Sequence, residues 1–259
     1  MERNPILTIY IPTYNRAQEL SRLYDSLLSQ TCHDFILLVI DDGSTDGTGD
    51  LVRSWEAPFE IRYLYKENGG VHTARDAAYH ACDTELIVGI DSDDWLLPDA
   101  VARILSLWEN GGDYLGIILP TMSVDGKLLC PPVPQVKAAE FQEFNHGLKA
   151  QGEQVFVLRS GVMKSIPDSP VFPGEKLTPE GWKLIQLPDQ PLLLMKEAVI
   201  VHSYLDTGYT KNTRQLRKKN IHGFRAMYRM YLQKLRYPLP WMKNLLKYIW
   251  TYLVKNPAG

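Results

Sequence analysis

Short apolar runs alternate with longer amphipathic stretches through roughly the first 110 residues of the chain. "ILTIYIP", "FILLVIDD", "IRYLYKE" and "ELIVGIDSDD" are rich in branched and aromatic residues and read as strands. "AQELSRLYDSLLSQ", "TGDLVRSW", "VHTARDAAYHA" and "PDAVARILSLWENG" repeat apolar residues three and four apart, the spacing of one helix face. This strand-helix alternation predicts an α/β fold with a mainly parallel sheet covered on both faces. In such sheets ligands sit beyond the carboxyl ends of the strands. Three of the strands end in unusual polar residues, Pro12-Thr13-Tyr14-Asn15, Asp41-Asp42-Gly43-Ser44 and Asp91-Ser92-Asp93-Asp94, which would converge on one rim.

From about Gly111 to Asp206 the pattern loosens, with many prolines and the short strand candidates "YLGIILP", "QVFVLRS" and "AVIVHSYL". An irregular half that completes the sheet and shapes a second pocket is expected there. The remainder reads as two helices separated around "RYPLPW", where Pro238 and Pro240 break the pattern. Phe224, Met227, Tyr228, Tyr231 and Leu235 recur at helical spacing in the first, and Trp241, Leu245, Tyr248, Ile249 and Tyr252 in the second. The expected organisation is two halves of one domain, 1–112 and 113–210, and a helical tail, 211–259.

Composition narrows the class. A chain of 259 residues with 45% hydrophobic content is neither disordered nor collagen-like. No run of about 18 apolar residues predicts a membrane span, and "MERNPILTIYIPTYNR", with an acid at position 2, does not read as a signal peptide. Cys32, Cys82 and Cys130 are odd in number and far apart, which suits reduced thiols in the cytosol. The net charge of −2 hides an asymmetry: from Lys211 onward there are 12 Lys and Arg and no acid, leaving 16 basic residues against 30 acidic ones in the body.

The acidic rim holds the candidate chemistry. Asp91 and Asp93, one residue apart beyond a strand, could share a hard cation such as Mg²⁺ or Mn²⁺; an acidic helix start capped by Asp93 or Asp94 accounts for them equally well. "DDGSTDGT" supplies ordinary turn and cap residues, yet a carboxylate at the end of a buried strand is also placed to accept from a base or ribose. In "ENGGVHTARDAA" the Gly pair permits close backbone approach, and Arg75 in the helix that follows suits a phosphate or the carboxylates; a plain loop-to-helix junction is the simpler account.

Taken together, "IPTYNR" (Ile11 to Arg16), "DDGSTDGT" (Asp41 to Thr48), "NGGVHTARD" (Asn68 to Asp76) and "DSDD" (Asp91 to Asp94) with Trp95 and "LPD" resemble the family 2 glycosyltransferases, inverting enzymes with the GT-A nucleotide-sugar-binding fold. The resemblance implies that Pro12 and Thr13 line a nucleotide pocket, that Asp42 accepts from the base, usually uracil, and that Arg75 supports the diphosphate or the acidic cluster. It further implies that Asp91 and Ser92 lie near the ribose or sugar, and that Asp93, with Asp91, binds the metal, Mg²⁺ or Mn²⁺. Asp76 departs from the Asn frequent in the family, which leaves its role open.

"FPGEKLTPEGWKLIQL" (Phe172 to Leu187), with "VHSYLDTGYTKN" after it, resembles a subgroup of bacterial surface-polysaccharide synthesis that carries "GEK...PE" and then "YxxxGxT". That alignment implies Glu180 as the base that takes the acceptor proton, with Glu175 in reserve; a first-turn glutamate serving the helix dipole is the alternative. His202, which some GT-A enzymes would use to complete the metal shell, stays outside the expected site because a lone histidine is more often structural. The basic, aromatic tail would rest on an anionic membrane or pack on the acidic body. Nucleic acid is not expected, because no stacking or recognition module is present.

The expectation is therefore a cytoplasmic glycosyltransferase, peripheral on the inner face of the cell membrane, that moves sugar from a nucleotide-diphosphate donor to a glycan or polyprenyl-linked acceptor. Its rivals are a noncatalytic nucleotide-sugar or membrane-binding module of the same fold and a sugar-1-phosphate nucleotidyltransferase. The latter would need a Gly-rich basic loop after the first strand, which "IPTYNRAQ" lacks.

Overall fold

The first strand, β1 (Leu7–Thr13), is buried at every position, as a central strand must be when helices cover both faces of its sheet. A computed structural model describes residues 5–109, 112–130, 136–148, 150, 152–203 and 213–253. Leu7, Ile9 and Ile11 face one core with Leu20, Leu23 and Leu27 of α1 (Leu20–Leu28), while Tyr10 joins a second core with Ala74 and Ala78 of α3 (Val71–Ala81). β2 (Ile36–Asp41) divides in the same way, Leu37 and Val39 to one side and Leu38 and Ile40 to the other. The period-2 alternation of a strand thus feeds two cores at once.

β3 (Glu60–Tyr65), β2, β1 and β4 (Leu86–Gly89) lie side by side and parallel, with α1, α2 (Thr48–Arg53) and α3 as crossovers. Beyond β4 the sheet turns mixed. β8 (Gln154–Arg159) is antiparallel to both β4 and β6 (Gly116–Ser123), and β10 (Ile200–His202) runs parallel to β6. β5 (Trp95–Leu96) closes the edge antiparallel to β10. β7 (Ala138–Ala139) pairs with β9 (Leu192–Leu194), which pairs with β6. Gly116 is forced by this crowding: a Cβ there would lie 2.0 Å from the Val157 carbonyl oxygen. The expected strand 85–94 stops at Gly89, so the acids lie in a turn and not in the sheet. The helix after them, α4 (Ala100–Glu109), starts six residues beyond Asp94.

The remaining helices are α5 (Ser160–Ser165), the single turn α6 (Gly181–Leu184), and, in the tail, α7 (Thr213–Lys219), α8 (Ile221–Lys234) and α9 (Pro238–Leu253). The tail therefore has three described helices where two were expected. Pro238 opens α9 instead of breaking it, because proline suits a first turn whose N–H groups have no partner anyway. Among the described residues no helix is long and apolar enough to cross a membrane.

Candidate active site

The rim begins with two loops stitched together. Asn15 adopts a left-handed backbone (φ 51°) that asparagine tolerates; its N–H donates to Ser44 Oγ at 2.8 Å, and its Oδ1 accepts from the Thr45 N–H at 2.8 Å. The Arg16 and Ala17 N–H groups donate to Thr48 Oγ1 and Asp46 Oδ2, each at 3.2 Å. Asp41 accepts from the Ser44 N–H (2.7 Å) and the Tyr63 hydroxyl (2.6 Å). Most of "DDGSTDGT" is thus scaffold for the loop after β1.

Asp42 is buried, and both its oxygens are engaged. Oδ1 accepts from Lys66 Nζ (2.6 Å) and the Gly69 N–H (2.9 Å), and Oδ2 from the Gly70 N–H (2.7 Å). It folds the "NGG" turn onto the rim. Gly70, at φ 96°, admits no side chain, since a Cβ would lie 2.1 Å from the Lys176 carbonyl oxygen. Asp42 therefore lines the cleft with its hydrogen-bonding capacity already spent.

The cleft between the rim and the second half is a cavity of about 580 Å³ lined by Pro12, Thr13, Asp42, Arg75, Asp91, Ser92 and Asp93, with Lys176, Leu177 and Pro179 opposite. The structure thus brings every expected nucleotide-binding and metal residue to one cavity. The Thr13 hydroxyl is buried there with no hydrogen-bond partner, a cost that a ligand would relieve. A second cavity of about 360 Å³ lies deeper, walled by Tyr10, Tyr79, Phe156, Leu184, Glu180 and His202. Pro12, Arg75, Asp91, Asp93 and Ser203 line both.

Arg75 stands at this junction, with Asp91 Oδ1 at 3.4 Å and Glu180 Oε2 at 3.9 Å. Burial works against its charge, but Glu180 and Asp91 outweigh it and hold the guanidinium proton more tightly than usual. Asp93 has no such cation. Burial, and then repulsion from Asp94 and Asp91, push its carboxyl up to about 6. Such a donor set fits a hard divalent ion. Among the described residues no three His, Cys, Asp or Glu side chains converge to hold one alone, so the remaining ligands would have to be phosphate oxygens or water.

Asp94 has a different occupation from its neighbours. It is buried, its Oδ2 lies 2.5 Å from His202 Nδ1, and its Oδ1 accepts from the Ser203 N–H at 3.0 Å. It is a clamp between the acidic turn and the end of β10, not a cap for α4. Burial works against a charged His202, and Asp94 more than compensates, so the imidazole binds its proton more tightly than usual. His202 enters the site through this clamp, and only its place at a strand end could have flagged it.

Glu180 occupies the cap position of α6, whose helical turn begins at Pro179, and its carboxylate faces the deeper cavity. Glu175 does not: it is buried and accepts from the His222 N–H (2.9 Å), His222 Nδ1 (2.7 Å) and the Gly223 N–H (2.8 Å), tying down the start of α8. Asp76 also acquires a role. It accepts from Lys183 Nζ and from the Ser169 N–H (2.8 Å), and Lys183 lies 4.8 Å from the centre of the Tyr79 ring. This buried pair pins α6 to α3, so Glu180 and Arg75 are held by neighbouring residues of one linkage. The "YxxxGxT" segment, Tyr204 to Thr210, lies outside the described residues.

The family model for "Glycosyl transferase family 2" matches residues 8–129. The chain is 39% identical over 106 residues to the chondroitin synthase of Pasteurella multocida (strain Pm70), covering 40% of this chain and 11% of the relative. It is also 39% identical over 106 residues to the validoxylamine A glucosyltransferase of Streptomyces hygroscopicus subsp. jinggangensis, covering 39% of this chain and 25% of the relative. The chain thus spans a quarter or less of these two curated relatives. Among solved structures, S. aureus TarS 1-349 in complex with UDP-GlcNAc superposes with a TM-score of 0.69 at 16% identity, over 95% of this chain and 72% of that one. The mannosyltransferase PcManGT from Pyrobaculum calidifontis, in complex with GDP-Man and Mn²⁺, gives 0.62 at 18% identity, over 98% and 71%. These two share the fold, and the GT-A arrangement expected from the motifs is the one observed. Through the matched segment and the fold that continues it, the chain belongs to glycosyl transferase family 2.

Proposed function

We propose that this protein transfers a sugar, with inversion, from a nucleotide-diphosphate sugar to a glycan or polyprenyl-linked acceptor in cell-surface polysaccharide synthesis, with a UDP-sugar as the first donor to try. The nucleotide would occupy the cleft of Pro12, Thr13, Asp42, Asp91 and Ser92 in the half up to residue 112. The acceptor would enter the deeper cavity shaped by residues 113–210. The observation that carries this reading is the position of Arg75, between Asp91 on the cleft side and Glu180 on the cavity side.

Asp93, with Asp91, would hold Mg²⁺ or Mn²⁺, which when bound offsets the charge of the departing diphosphate. Arg75 faces the same developing charge and needs no reorganisation to meet it. Glu180 accepts the proton of the attacking hydroxyl as the new C–O bond forms and the bond from sugar carbon to diphosphate oxygen breaks. Asp42 acts through the loop: with its oxygens spent on Lys66 and the Gly69 and Gly70 N–H groups, it shapes the pocket.

The test is UDP release from a panel of UDP-sugars with Mn²⁺, alone and with candidate acceptors. Metal-dependent release supports an enzyme. Donor binding without any release under every condition returns the chain to a noncatalytic module.

A further inference from the structure

The last helix, α9, carries its polarity inside out. Its most deeply buried side chains are Asn244 and Thr251. Arg225 of α8 donates to Thr251 through Nε (3.2 Å, to Oγ1) and Nη2 (2.7 Å, to the carbonyl oxygen), so the polar face is the docked one. Leu239, Met242, Leu246, Ile249 and Leu253, spaced three and four apart, are 45–77% exposed. The residues expected to make the stripe, Trp241, Leu245 and Tyr248, turn out half-buried on the body. Phe224 and Tyr228 of α8 pack in a core with Leu177. One stripe of the tail serves the fold, and the other serves nothing within the described residues.

An exposed aliphatic stripe in water is costly unless something covers it. At about 100° per residue, the stripe with Leu245 and Tyr252 on one flank and Trp250 on the other spans an arc of about 160°. Lys243 and Lys247 follow at the Trp250 edge. The region from residue 211 onward contains 12 basic and no acidic residues. A second copy would bring two such tails together against their repulsion, over a stripe of only two heptads, too short for a sturdy coiled coil. An anionic lipid surface matches both the arc and the charge.

We infer that α9 lies in the plane of an anionic phospholipid bilayer, its stripe from Leu239 to Leu253 among the acyl chains and its lysines at the headgroups. α9 packs on α8, and α8 meets α6 so closely at Gly181 that an added Cβ would lie 2.9 Å from the Tyr231 hydroxyl and 3.2 Å from the Met227 sulfur. Glu180, the residue before Gly181, is thereby one helix removed from the docked one. This deepens the functional reading and rests on it only for the consequence, that the acceptor cavity is presented to lipid-linked glycans; docking itself needs neither donor nor acceptor.

The experiment is flotation of the full chain with vesicles of phosphatidylcholine alone and of phosphatidylcholine with phosphatidylglycerol. Partition into the anionic vesicles should exceed that into neutral ones by about tenfold or more and weaken with salt. Leu246→Glu/Ile249→Glu should cut the partition by at least about tenfold. Lys243→Gln/Lys247→Gln should erode the anionic preference several-fold and leave residual apolar binding. All of these residues are exposed and outside both cavities, so melting temperature and UDP release in solution should stay at the parent values. No binding of the parent protein, equal binding to both vesicle types, or unchanged binding of the glutamate variant would overturn the inference. So would light scattering that finds a dimer dissociated by the glutamate variant, since a second copy would then be the cover. If UDP release fails while flotation succeeds, the functional reading falls and the docking surface stands; the reverse pattern sinks only the docking surface.

Discussion

Two sets of carboxylates sit within one rim, and they live under opposite conditions. Asp41, Asp42, Asp76 and Asp94 are buried and bonded to lysine, tyrosine, histidine or backbone N–H groups, so each joins segments distant in the chain. Asp91, Asp93 and Glu180 face the cavities, with one arginine shared between two of them and a raised affinity for protons at the third. The saturated set holds the shape, and the exposed set keeps capacity for something that arrives. The same side chain is thus spent on structure in one place and held in reserve a few ångströms away.

Substitutions should separate the two sets cleanly. The largest effect is expected at Glu180→Gln, where loss of the base should lower turnover by about 10²- to 10⁴-fold and leave UDP affinity and melting temperature near the parent. Glu175→Gln should behave in the opposite way, keeping turnover and losing some stability. Transfer assays with calorimetry on both variants check this, and an active Glu180→Gln would remove the distinction. Asp76→Ala strands the buried Lys183 ammonium and should cost about 3–5 kcal/mol in urea unfolding; Asp76→Asn, which keeps an acceptor, should cost less.

Asp42→Asn removes the Lys66 partner and turns an amide toward backbone donors, with an expected loss of about 2 kcal/mol. A stability equal to the parent would place Asp42 among the reserve carboxylates instead. The smallest effect has the opposite sign. The folded-state value of Asp93 is about 6 against an ordinary 3.8, so the native chain holds that proton more tightly and loses stability as pH rises between them. Asp93→Asn should therefore be more stable than the parent at pH 8 in EDTA, by about 1–2 kcal/mol after allowance for its solvent contact, with the gap closing near pH 4. Unfolding titrations at the two pH values settle it; a destabilised variant at pH 8 would show that Asp93 is already satisfied.

Periodicity and turn chemistry in the sequence determined the four parallel strands, their crossover helices and the convergence of three polar strand ends. Buried strands, helix faces and Gly-rich turns leave local signatures that need no knowledge of the partner. The sequence also determined that the tail is basic and amphipathic. Tertiary structure alone decided how the acids divide, because Asp91, Asp93 and Asp94 are adjacent and chemically identical, and only the arrival of His202 from β10 makes Asp94 a clamp. It likewise decided that Glu175 is capped by the start of α8 while Glu180 stays in the cavity, and that Asp76 finds Lys183 across 107 residues of chain. In α9 the spacing revealed two faces, yet which one is buried depended on Arg225 reaching Thr251. A helical period names the faces of a helix; only packing assigns their neighbours, because long-range contacts leave no trace in local order.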